Sequence, residues 1–128
     1  HQYLKQRHAM NDAPLDQTII EKPWGQYIDY YRDDHTVFKC ISINPGHAIA
    51  YQYHLHRSEL WFIKSGEGEI KLNDADWKTI SPGQSFLIKP KDKHQVRATN
   101  STLHIMEMQF GGCSEDDIVR LEDPYNRK

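Results

Sequence analysis

The stretch that decides the reading is Gln52-Tyr53-His54-Leu55-His56-Arg57-Ser58-Glu59. Extended backbone sends successive side chains to opposite faces, so Gln52, His54 and His56 share one face while Tyr51, Tyr53 and Leu55 take the other. A turn near Arg57-Ser58 lets Glu59 open the next strand and brings a carboxylate beside the imidazoles. Three or four N and O donors converging from rigid strands suit a divalent first-row metal. Two histidines spaced two apart are also what a solvated face carries, so a donor from elsewhere is needed. His94 is the best placed: it follows the turn Pro90-Lys91-Asp92-Lys93 and starts a strand whose next same-face residues, Val96 and Ala98, are small and apolar. His47 and His104 are weaker candidates, and His8 and His35 are expected at the surface.

Outward from this stretch, short segments rich in Tyr, Ile, Phe, Val and Trp alternate with turn clusters. The pattern predicts strands over Gln26–Tyr31, Thr36–Ile43, Ala48–His56, Glu59–Ser65, Gly68–Leu72, Trp77–Ile80, Ser85–Lys89, His94–Ala98 and Thr102–Phe110. Asp33-Asp34, Pro45-Gly46, Asn73-Asp74, Pro82-Gly83 and Asn100-Ser101 supply the turns between them. Strands at such spacing argue for an all-β sandwich or barrel rather than βαβ units. A helical period is seen only near the end, where Ser114-Glu115-Asp116-Asp117 reads as an N-cap with an acidic first turn, good for one or two turns before Pro124. Residues 1–15 are expected to be a flexible arm or a tag remnant, and 16–128 a single domain.

The 128 residues carry a net charge of −2 with both signs interspersed, which gives no electrostatic case for nucleic acid. No apolar run approaches the roughly 20 residues of a membrane helix. The N-terminus lacks a basic segment followed by an apolar one, so no signal peptide is expected. Cys40 and Cys113 stand apart without CxxC spacing and read as reduced thiols of a cytoplasmic protein. A long edge strand such as Thr36–Ile43 would need covering, and a homodimer is the expected remedy.

The joint pattern of these residues resembles the two cupin motifs. Glu59, six residues and Gly66 match the end of the first motif, and stepping back four residues from Glu59 lands on His54, with Gln52 where the first histidine of the pair usually stands. Gly83 and His94 match the second motif, with Lys89 and Lys91 in place of its usual Pro and Gly. A metal held by Gln, His, Glu and His is similar to the arrangement in phosphomannose isomerases. Lys22-Pro23-Trp24-Gly25, the core Gln52-x-His54-x-His56-Arg57-x-Glu59-x-Trp61 and the tail from Glu115 to Asp123 extend the resemblance to the type II phosphomannose isomerase domain. That domain often forms the C-terminal part of bifunctional mannose-1-phosphate guanylyltransferases. Family members often carry His where Leu55 and Leu60 stand, and a Gly near Asn126, so substrate preference is a point of departure. No Gly-rich phosphate loop of a nucleotidyltransferase is found, and GDP-mannose synthesis is not expected of these residues.

The resemblance implies a cupin double-stranded β-helix with short terminal helical segments. It implies one divalent metal, zinc first and Mn, Fe or Ni as alternatives, on Gln52, His54, Glu59 and His94. The implied reaction interconverts mannose 6-phosphate and fructose 6-phosphate by proton transfer through a metal-stabilised enediolate. His56 is the expected base, with a ligand-supporting or surface role as its alternative, and Arg57 beside it is expected to act in catalysis. Arg57 and Arg120 are expected to bind the phosphate bidentately or to serve as surface ion pairs. Trp24 and Trp61 are expected to pack the barrel. Two other readings stand beside this one: a non-catalytic cupin that holds metal and binds sugar phosphate, and a different cupin enzyme such as an epimerase or an oxygenase.

Overall fold

Alternation of apolar and polar residues is what lays down the strands. Among residues 18–126, which the computed structural model describes, eleven strands form; the expected arm at residues 1–15 lies outside the described residues. They are β1 Ile19–Lys22, β2 Gly25–Arg32, β3 Thr36–Ile43, β4 Tyr51–Tyr53, β5 Ser58–Ser65, β6 Gly68–Leu72, β7 Lys78–Ile80, β8 Ser85–Ile88, β9 His94–Ala98, β10 Leu103–Phe110 and β11 Val119–Glu122. Two antiparallel sheets face each other across one core, in the orders β1-β2-β3-β10-β5-β8 and β11-β4-β9-β6-β7. This is the expected double-stranded β-helix.

Inward-facing side chains change character along the strands. On β5 they run Glu59, Trp61, Ile63, and on β9 they run His94, Val96, Ala98, all buried. On β3 the run Lys39, Ile41, Ile43 lies beside Gln109, Glu107, Ile105 and Leu103 of the antiparallel β10. One end of the barrel is therefore packed with aliphatic groups, together with Ile70 and Ile80, and the other is lined with polar ones. At the aliphatic end each buried Ile or Leu contributes roughly 1.5–3 kcal/mol. Trp24 and Trp61 belong to this core, as expected.

Two motif glycines are required by sterics. Gly66 has φ of +96°, and a Cβ there would lie 2.0 Å from the Thr102 carbonyl oxygen. Gly25, ending the Lys-Pro-Trp-Gly entry, has φ of +151° and would place a Cβ 2.0 Å from the Ser42 oxygen.

Four expectations need correction. β3 is not an edge strand: it is hydrogen-bonded between β2 and β10, so an open β3 edge gives no reason for a dimer. The strand expected over Ala48–His56 is reduced to Tyr51–Tyr53 plus an isolated bridge at Ala48. The terminal helix does not form. Ser114 starts a single turn, with Asp117 N donating to the Ser114 oxygen at 3.1 Å, because the Asp117 carboxylate is engaged by another loop and the chain then extends into β11 against β4. β1 and β11, two short edge strands, were not predicted by the pattern.

Candidate metal centre

β4 ends at Tyr53, and the next four residues turn back into β5. The Asp117 carboxylate organises that turn: it accepts the backbone N–H groups of Leu55 at 2.7 Å, His56 at 2.9 Å and Arg57 at 3.2 Å. Burial pushes the Asp117 carboxyl up, but these three donors outweigh it and hold its pKa below the ordinary value. His54 and His94 are oriented by one device. His54 Nδ1 donates to the Asp117 carbonyl at 2.5 Å, and His94 Nδ1 to the Asp92 carbonyl at 2.9 Å. Both rings thus turn Nε2 inward, the tautomer in which a carbonyl holding Nδ1–H leaves Nε2 free to ligate a metal.

The inward atoms meet Glu59. His54 Nε2 lies 3.1 Å from Glu59 Oε2, and His94 Nε2 lies 3.8 Å from Glu59 Oε1. All three residues are buried, and one ligand atom from each lies within 4.8 Å of the others. With Nδ1–H spent on backbone carbonyls, the two Nε2 atoms turn lone pairs toward a carboxylate, an assembly of acceptors for which the Arg57 guanidinium supplies one positive charge and which leaves His94 Nε2 unmet. His94 Nε2 has no hydrogen-bond partner although it is buried. The donor set therefore fits a divalent metal. Burial pushes the Glu59 carboxyl up, but its close neighbours His54, His94 and Arg57 outweigh burial and hold it well below the usual carboxylate range. Burial lowers His94, which favours the neutral imidazole that ligates.

Of the other expected site residues, Gln52 lines the same cavity and stands directly opposite His94 in the β4–β9 ladder. Arg57 is buried in the cluster itself: Nε donates to Glu59 Oε2 at 2.8 Å, and Nη2 lies 3.2 Å from His54 Nε2. Trp61 Nε1 donates to the other Glu59 oxygen at 3.0 Å. Arg120 stands opposite Gln52 on β11 and lines the cavity with a buried Nε that has no partner. His56 is not brought to the cluster. The strand alternation that was to aim it stops at Tyr53, and its side chain is exposed on the bend. Leu55 and Leu60 are exposed as well and do not line the cavity.

The cavity of about 690 Å³, open mouth included, also holds residues that sequence reading missed: Lys39, Glu107, Gln109 and Glu115. Burial pushes the Glu107 carboxyl up to about 7, and the negative charge of Glu59 adds to the rise. Gln109 Nε2 donates to Glu107 Oε2 at 2.6 Å. Lys39 Nζ sits 4.0 Å from the centroid of the Tyr27 ring. The available signal was a charged residue at an inward position of an apolar strand, as at Lys39 between Val37 and Ile41.

A model of the family described as mannose-6-phosphate isomerase C-terminal matches residues 10–123. Mannose-1-phosphate guanylyltransferase RfbM of Salmonella typhimurium is 32% identical over 94% of this chain and 25% of its own length. Alginate biosynthesis protein AlgA of Pseudomonas fluorescens is 34% identical over 84% of this chain and 23% of its own. The chain thus spans about a quarter of these relatives. Among solved structures, a Klebsiella pneumoniae protein with a double-stranded β-helix domain superposes with a TM-score of 0.67, at 18% identity, over 86% of this chain and 90% of that one. No helix among the described residues is long and apolar enough to cross a membrane.

Proposed function

Because the chain belongs to the mannose-6-phosphate isomerase C-terminal family, we propose that it interconverts mannose 6-phosphate and fructose 6-phosphate, with one divalent cation bound by Gln52, His54, Glu59 and His94. The observation that carries this reading is the pair of imidazoles keyed by backbone carbonyls around a buried carboxylate, with His94 Nε2 unpartnered. Zinc is the proposed ion. When bound, such a cation polarises a sugar carbonyl and stabilises the negative charge that builds up as the adjacent proton leaves.

The chain's own residues supply the rest. Glu107 faces the same cavity, and its carboxyl near neutrality suits it to take a proton from one carbon and return it to the next, a role worth roughly 10²–10⁴-fold. It replaces the exposed His56 in that role. Arg57, already on Glu59, puts a fixed positive charge beside the developing negative one. Arg120 and Lys39, on opposite sheets, are the cations proposed to hold the phosphate, Arg120 through its free Nε–H.

The test is a coupled assay for fructose 6-phosphate formed from mannose 6-phosphate, alongside elemental analysis of variants. Turnover is expected to vanish with chelator and return with metal. Glu59→Gln and His94→Ala are expected to lose the metal, while His56→Ala keeps both metal and turnover. Metal-loaded protein that binds mannose 6-phosphate without converting it would overturn the isomerase reading and mark a sugar-phosphate-binding domain instead.

A further inference from the structure

The two sheets present very different outer faces. On the five-stranded sheet the outward positions of β6 and β9 include Glu69, Lys71 and Arg97, with Arg97 ion-paired to Glu69 at 2.8 Å and its guanidinium 3.9 Å from the Trp77 ring centroid, while Gln95 beside them is buried and donates to the Ile49 carbonyl. That face is at home in water. The outer face of the six-stranded sheet is not. Phe38, Met108, Leu60 and Leu87 stand directly opposite one another across β3, β10, β5 and β8. In the next row, Ile28, Cys40, Met106 and Phe62 across β2, β3, β10 and β5, Phe62 is exposed, Ile28 and Met106 are half-buried and Cys40 is buried beneath its neighbours. Tyr30 packs on Phe38 with ring centroids 5.8 Å apart, and Phe110 closes the end of β10.

Leu60, Phe62, Leu87 and Met108 are 42%, 46%, 54% and 40% exposed. With the similarly exposed Tyr30 and Phe110, and about 200 Å² for each fully exposed side chain, the face leaves roughly 500 Å² of apolar surface in water. A standard interface buries about 800 Å² per partner, a little over half of it apolar. The match is close, and among the described residues no element packs over this face.

We propose that this face seats a second copy of the same chain. Both rims carry exposed charge, acidic at the start of β3 with Lys89 at the nearby end of β8, and basic at the end of β5 with Glu67 just beyond it. Asp33 and Asp34 are exposed beside the start of β3, while Lys64 and His104 lie toward the opposite end of the sheet, His104 beside Ser42 near the end of β3. A two-fold axis lying between the faces and running across the strands reverses strand direction. The acidic rim of each copy then meets the Lys64 rim of the other, as an isologous interface requires. The apolar rows of the two copies bury each other between these rims, and neither cavity mouth is covered, because the cavity opens within the barrel and the contact lies on its outside.

Sedimentation equilibrium from about 1 to 100 µM tests this. The chain is expected to show twice its single-chain mass of 15.1 kDa. Met108→Glu with Leu87→Glu, outside the cavity, is expected to raise the dimer Kd at least hundredfold, since each change counts twice in a two-fold contact. Circular dichroism and bound metal serve as the check that the variant is folded. Lys64→Asp is expected to weaken the dimer and Asp34→Lys in the same chain to restore it. A single-chain mass at 100 µM, or a dimer that survives both glutamates, would overturn the proposal.

Discussion

Replacing Asp117 by Ala removes an acceptor shared by three backbone donors and leaves the 54–57 turn without its anchor. Hydrogen bonds to a charged acceptor are each worth about 1.5–3 kcal/mol when buried. Leu55 and His56 are exposed and regain water, and the Arg57 contact is the longest of the three, so the net loss is about 3 kcal/mol. For a domain of this size that is roughly 10 °C in Tm. The Asp117 carbonyl that orients His54 is part of the backbone and survives the substitution, but its position depended on the carboxylate clamp. Metal affinity is therefore expected to fall 10- to 100-fold, the range typical when a group that orients a metal-ligating histidine is lost. Asp117→Asn, which keeps one acceptor oxygen, should lose less of both. Calorimetry gives Tm, and competition with a chromophoric chelator gives affinity. A Tm within about 2 °C of wild type together with unchanged affinity for Asp117→Ala would refute the idea that this carboxylate builds the turn.

Glu107→Gln is expected to retain metal while lowering kcat at least 10²-fold. The same variant tests linkage in metal-free protein. The Glu107 carboxyl stands at about 7 when folded, against 4.5 as an ordinary glutamate. Its contribution to stability is thus intact below about pH 4.5 and lost as pH rises through 7, so Glu107→Gln should gain up to a few kcal/mol relative to wild type between those values, read as Tm against pH. Arg120→Ala should raise KM for the sugar phosphate by at least tenfold with little change in kcat or metal content, measured by steady-state kinetics. Gly66→Ala should cost several kcal/mol and yield little soluble protein, because the residue holds φ of +96° and has no room for a Cβ.

Much of the architecture could be read from period-two alternation. Thr36–Ile43, Gly68–Leu72 and His94–Ala98 form with the expected bounds, because each combines β-branched or aromatic residues with a strong turn at its start. Ile19–Lys22 and Val119–Glu122 escaped notice because four-residue edge strands bury too little to leave a pattern. Of the site, His54, Glu59 and His94 were legible as motif spacing. His56 was misplaced because local alternation carries no sign of Asp117, sixty-one residues later, drawing the chain out of the strand. Arg57 was expected on the phosphate, but its neighbours Glu59 and His54 on the same hairpin hold it at the cluster. Glu107 and Gln109 stayed hidden for a further reason: a polar residue at an inward position becomes informative only when the strands around it are known.

The passage from polar to aliphatic along β3, β5, β9 and β10 has an evolutionary consequence. Folding free energy is concentrated in the sealed half, so substitutions at the mouth draw little on the reserve that keeps the chain folded. One scaffold can then exchange donors, acids and cations at Lys39, Gln52, Glu107 or Gln109 and explore new substrates, while Ile43, Ile63, Ala98 and Leu103 hold the walls in place.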